Sequence, residues 1–194
     1  DVSSLEYDHA CCVATRKRTG LPMTQGSVLA LPWADGVFDL VCAFDVIEHV
    51  EDDRLAVREL VRVARPGGVV VVTVPAFDFL WSEHDEINQH FRRYTIHQIR
   101  ALFTDARITT ATYFNSILFL PIATHRVMRR LVNSFLLQSP TRPTSDFARS
   151  RFPIVSRVLE SVFASERHLI ACGIRPPCGV SALIVAERCP DSKA

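Results

Sequence analysis

Asp45, Glu48 and His49 fall within five residues at the end of an apolar run. A histidine beside carboxylates suits proton transfer near neutral pH. A second cluster follows between Leu80 and Thr95, where Trp81, His84, Asp85, His90, Arg92, Arg93 and Tyr94 crowd together. His84 is a second candidate base there, and the arginines can hold an anionic group. Glu48, His49, His84 and His90 invite a metal reading, but their spacing matches no compact ligand motif and no metal is expected. Bland readings stand beside these. Asp45 and Glu48 also suit the entry to a helix, His49 suits a satisfied structural ring, and Arg92, Arg93 and Tyr94 suit a pin holding their segment to a sheet.

The elements that must position these residues alternate between strand and helix patterns. Ser3 or Ser4 caps a predicted helix to about Arg18, ended by Thr19-Gly20. Leu21 to Gln25 reads as a short strand, and Gly26 to Asp35 as a connection with turn signals at Pro32 and Asp35-Gly36. Phe38 to Phe44 is almost continuously apolar, as in a central strand covered on both faces. Asp52 or Asp53 opens a helix stopped by Pro66-Gly67-Gly68, and Val69 to Val74 is a second buried strand. Pro75 to Tyr94 shows no periodicity, and a loop of that length in a compact domain is usually functional. Beyond it lie a helix from Thr95 to about Phe103, a strand over Arg107–Tyr113 and a long helix over Ile117–Leu137. A linker over Ser139–Ser150, a helix over Phe152–Cys172 and a strand over Gly179–Glu187 complete the chain. Such alternation predicts a parallel sheet with crossover helices, whose ligands bind beyond the carboxyl ends of the strands.

The stretch Leu31-Pro-Trp-Ala-Asp-Gly-Val-Phe-Asp-Leu-Val41, with Asp45, Glu48-His49 and then Arg62, Arg65 and Pro66-Gly67-Gly68, resembles the second half of the cofactor site in class I S-adenosylmethionine (SAM)-dependent methyltransferases of type 11. Gly179 to Arg188 resembles that family's antiparallel last strand. The resemblance implies an α/β, Rossmann-like, doubly wound and mostly parallel sheet, lacking the first strand and its glycine-rich loop. It implies a single domain over residues 1–194, partial at its N-terminus, with 114–175 as a helical insertion shaping the acceptor side. SAM is the implied cofactor. Asp1 would take its ribose hydroxyls, and Ser27, where the family usually has Asp, would meet the adenine amino group. Val28 would flank the adenine, and Phe44, Asp45, Val46 and His49 would border the methionine part. His49 and His84 become the candidate catalytic bases, with Trp81, His84, Asp85, Arg93 and Tyr94 lining the acceptor. Each cofactor position keeps its plainer alternative, Asp1 as a frayed terminus and Ser27 as an ordinary turn residue.

The implied activity is methyl transfer to oxygen or nitrogen of a small-molecule or lipid-like acceptor. The chain opens Asp1-Val2-Ser3-Ser4, without methionine, and reads as a piece of something longer. Without the glycine loop it is expected to bind SAM poorly, with real transfer by a parent chain carrying roughly 50 more N-terminal residues. The alternative is a degenerate, non-catalytic relative serving as an interaction module. A nicotinamide-dependent enzyme is disfavoured because Gly-x-Gly-x-x-Gly is absent.

Composition sets the outer bounds. The 194 residues are 48% apolar and 22% charged, as in an ordinary globular domain, and the net charge of +1 gives no reason to expect nucleic acid as a partner. Six cysteines, at 11, 12, 42, 172, 178 and 189, suit idle thiols rather than a disulfide framework. No signal peptide is read, and the expected compartment is the cytoplasm. Ile117 to Ile122 is too short to span a bilayer. The basic residues after it leave peripheral membrane contact open, and a homodimer is also kept open.

Overall fold

The computed structural model describes residues 1–135, 161 and 164–190. Strand β1 (Ser4–Glu6), helix α1 (His9–Thr19) and strand β2 (Met23–Gln25) form a first unit. Then come β3 (Phe38–Phe44), a 3-10 turn (Ile47–His49), α2 (Asp53–Val63) and β4 (Ala64–Pro75). The remainder is a second 3-10 turn (Asp78–Leu80), α3 (Glu83–Ile87), α4 (Ile96–Arg100), β5 (Ala106–Phe114), α5 (Phe119–Phe135) and β6 (Ser181–Arg188). β1 and β2 pair in parallel as a sheet of their own, and the other strands form a sheet in the order β3-β4-β6-β5. β3 runs parallel to β4, whereas β6 is antiparallel to both β4 and β5. The architecture is the expected Rossmann-like α/β arrangement with an antiparallel last strand. Among the described residues, no strand joins β2 to β3.

The core lies in the four-stranded sheet. On β4 the alternate residues Val70, Val72 and Val74 are buried, and their partners across the ladder are Ala186, Ile184 and Ala182. Small residues thus flank one large one across the ladder. α2 adds Ala56, Val57, Leu60, Val61 and Val63 from its inner face. Its start is fixed by Asp52, whose carboxylate accepts from the Leu55 N–H at 2.9 Å.

Several expectations change. The first helix begins later than the serines suggested, because Asp8 is its cap, accepting from Cys11 N, and Ser4 to Glu6 pair with Met23 to Gln25 instead. Gly20 ends the helix in the left-handed region, at φ 72°. β3 is covered on one face only. Ala43 joins the core, while Leu40, Cys42 and Phe44 share the opposite face and stay exposed.

The Pro66-Gly67-Gly68 break does not follow α2 directly. Helical geometry stops at Val63, and the break is an irregularity inside β4, where Phe38 pairs with Ala64 but Leu40 pairs with Val69. A β-carbon on Gly68 would lie 2.8 Å from the Arg65 carbonyl oxygen and 3.0 Å from that of Phe38, so the tight crossing requires glycine. α4 is shorter than its sequence pattern, α5 begins two residues later than expected, and the segment after Pro75 contains a 3-10 turn and α3 rather than continuous loop. The linker over Ser139–Ser150 lies outside the described residues, as does part of the helix expected over Phe152–Cys172 and of the insertion over 114–175; residues 164–171 are helical. Among the described residues no helix is long and apolar enough to cross a membrane.

Candidate active site

Both chemistry-bearing segments lie at the carboxyl ends of β3 and β4. β3 ends at Phe44, and Asp45 then turns the chain with a left-handed backbone, at φ 51°. The turn is held by Asp45 N donating to the Thr73 carbonyl at 3.0 Å, and by the Thr73 hydroxyl, 3.4 Å from Asp45 Oδ1. A left-handed non-glycine residue is held only by its surroundings and is common at functional sites. The next turn buries Glu48 completely and leaves His49 partly exposed.

The segment after Pro75 is tied down at both ends. Tyr94 N donates to the Pro75 carbonyl and Phe77 N to that of Tyr94, so the end of the loop runs beside β4. Phe91 N donates to the Glu48 carbonyl at 2.8 Å, which brings the second cluster onto the first. Ser82 caps α3 with Asp85 in a capping box. The same Asp85 receives both arms of Arg93, Nε at 2.8 Å and Nη2 at 3.0 Å, while Arg93 Nη1 donates to the Ala76 carbonyl. Both residues are buried, so the fork is a charge-assisted clamp inside the protein. Burial alone would raise the Asp85 pKa. The hydrogen bonds and charge of Arg93 outweigh it and hold the carboxyl below its usual range. Arg92 donates to Asp53 and to the Glu51 carbonyl, and the Tyr94 hydroxyl donates to Asp53 at 3.0 Å. Burial, then Asp53, pushes the Tyr94 phenol up, so it stays protonated.

The candidate residues therefore divide. Asp85, Arg93 and Tyr94 are buried in bonds to the protein itself, the arrangement of a pin. Trp81 and His84 are half-buried on the same segment, and His84 Nε2 faces the Asn88 side-chain amide at 2.9 Å. His49 keeps partial exposure, and burial together with the neighbouring His90 lowers its pKa, so the neutral, proton-accepting ring is favoured at pH 7. Glu48 has no hydrogen-bond partner on either carboxylate oxygen, and burial pushes its pKa up to about 8.

On the other sheet, Ser27 and Val28 follow β2. The Ser27 hydroxyl accepts from Leu29 N at 3.2 Å, and Val28 packs against the core. Asp1 precedes β1 rather than ending it. Glu6 is the acid at the strand's carboxyl end, with Oε1 accepting from Asp8 N. The sequence pattern pointed past Glu6, because only the β1–β2 pairing reveals where the strand stops. Exposed Phe44 and the ordered Asp45 turn supply an apolar face and backbone polar groups of the kind a nucleoside-bearing cofactor needs.

Residues 2–72 match a family model described as a methyltransferase domain. Over that segment the chain is similar to class I methyltransferases. The family is SAM-dependent. The chain is 49% identical over 47 residues to norajmaline N-methyltransferase of Rauvolfia serpentina, covering 24% of this chain and 16% of that protein. It is 36% identical over 75 residues to demethylmenaquinone methyltransferase of Shouchella clausii, covering 36% of this chain and 32% of the relative. The chain thus spans less than a third of the length of those relatives. Its fold is similar to that of phosphoethanolamine N-methyltransferase 2 from Haemonchus contortus in complex with SAM, with a TM-score of 0.55, 16% identity, and coverage of 97% of this chain and 43% of the other.

Proposed function

We propose that this chain forms part of an enzyme that transfers the methyl group of SAM to an oxygen or nitrogen of a small-molecule or lipid-like acceptor. The observation that carries the reading is the Asp45 turn, a left-handed residue locked by Thr73 at the end of β3 within the matched segment. SAM supplies an activated methyl on a sulfonium, so the protein has to align, exclude water and manage one proton. Phe44, Asp45 and Val46 border the methionine part, and Ser27 and Val28 border the adenine. The ribose falls to an acid near β1: the family resemblance supports Asp1, and the position of Glu6 at the carboxyl end of β1 supports Glu6. His49 accepts the acceptor's proton, favoured in that role by its lowered pKa, with His84 as the second base. Trp81 and His84 face the acceptor, while Asp85, Arg93 and Tyr94 position their segment.

Calorimetric titration with SAM, and transfer of labelled methyl from SAM to hydroxyl and amine acceptors by the whole gene product, test the reading. Labelled product whose formation falls at least tenfold in His49→Asn with SAM affinity unchanged is expected. SAM binding that ignores Glu6→Gln, Asp1→Asn and Phe44→Ala alike overturns the assignment of the cofactor site.

A further inference from the structure

A cluster at the edge of the proposed methyl-transfer site shares His49 with it. With a metal bound there, His49 is a ligand and proton acceptance falls to the second base, His84. Glu48, His49 and His90 each bring one potential ligand atom to within 4.8 Å of the others. His49 Nε2 is 4.0 Å from Glu48 Oε1, and the two imidazoles meet edge-to-face with centroids 4.6 Å apart. We propose that Glu48, His49 and His90 form a binding site for one divalent transition-metal cation of the zinc and cobalt class.

Two independent features support it. The first is the orphaned carboxylate. Glu48 is fully buried and both its oxygens lack a hydrogen-bond partner, an arrangement that strongly disfavours the ionised group unless a cation compensates it. The local charges do not compensate it: Arg93 is committed to Asp85, and Asp45 adds a further negative charge nearby. The second feature is the surround of the histidines. His90 Nδ1 pairs with Asp85 Oδ1 at 2.9 Å, which leaves Nε2 to bind a metal. A carboxylate behind a histidine is the outer-shell arrangement that orients metal-binding imidazoles. The backbone of Asn88 lies against the other ring, that of His49.

Two histidines and one carboxylate make a three-ligand site with room for water or substrate. His49 carries that opening, because it is the exposed member while His90 and Glu48 are covered. Ligands at ordinary metal distances sit about 3–4 Å apart, so small side-chain rotations close the cluster.

The test is cobalt(II) titration of the metal-free full chain, followed by visible absorption and calorimetry. One equivalent should bind with visible ligand-field bands and without the intense near-ultraviolet bands of thiolate ligation, and zinc should displace it. Glu48→Gln and His90→Asn should each weaken binding at least tenfold, and Asp85→Asn should weaken it tenfold or more through the outer shell. His97→Asn, at an exposed position on α4, should leave it unchanged. Circular dichroism identifies any variant that fails to fold, and the near-isosteric Glu48→Gln keeps the test decisive. No binding by the folded wild type, thiolate bands, or undiminished affinity in both Glu48→Gln and His90→Asn overturns the site.

Discussion

At the scale of single residues, Glu48 and Asp85 show how burial without a partner differs from burial with one. Both are carboxylates with no exposed surface. Asp85 takes both arms of Arg93 and stays ionised, whereas Glu48 has no bonded cation and its pKa rises to about 8. The folded protein therefore retains a proton on Glu48 that the unfolded chain releases near pH 4.5. Between those values the native state binds more protons, so stability falls as pH rises, by up to about 1.4 kcal/mol per unit. The contribution is full below the lower value and gone above the upper one. In metal-free buffer, Glu48→Gln should flatten the stability profile between about pH 5 and 8. Thermal melts of both proteins across that range check it, and parallel profiles would refute it.

At the scale of elements, glycines decide where strands can cross. A β-carbon on Gly179 would collide with the Phe114 backbone, where the end of β5 meets the start of β6. Backbone on both sides cannot rotate away, so Gly179→Ala should cost about 1–3 kcal/mol. Gly20 meets nothing within 4 Å, and its alanine variant carries only the left-handed backbone penalty, about 1 kcal/mol. Denaturant melts should place Gly179→Ala below Gly20→Ala; the reverse order would contradict the close packing at the β5–β6 corner. The helices follow a plainer logic. Thr95 was readable as a cap and Asp52 as one of two candidates with Asp53, because a side-chain oxygen before an apolar period satisfies a free N–H. Asp8 was not, since Ser3 and Ser4 carry the same signal and only pairing with β2 removes them from the helix.

At the scale of the whole molecule, the two sheets differ in how they are held. The hydrophobic core draws mainly on the four-stranded sheet and α2, with Leu31, Ile47 and the Tyr94–Phe103 stretch adding to it, whereas α1 contributes only Cys12 to the buried residues. β1 and β2 have three residues each. Native-state hydrogen exchange should therefore show the β1–β2 amides opening first and Val70, Val72, Val74 and Ile184 last. Equal protection of both sheets would show that they unfold as one unit.

The residue order alone determined the strand–helix alternation, the apolar β3 and β4, the Thr95 cap, a helix start at Asp52 or Asp53 and the Arg62 to Gly68 motif, because these depend on periodicity and on neighbours a few positions apart. It also marked Asp45, Glu48, His49 and the Trp81–Tyr94 segment as the place to look. Only the tertiary structure separated pins from free groups there. Asp85 lies eight residues from Arg93, and Arg92 and Tyr94 reach across 39 and 41 positions to Asp53. The Glu48–His49–His90 cluster likewise arises because Phe91 bonds to the Glu48 carbonyl. Whether a charge is spent or available depends on what folding places beside it, and that proximity is not encoded in local spacing.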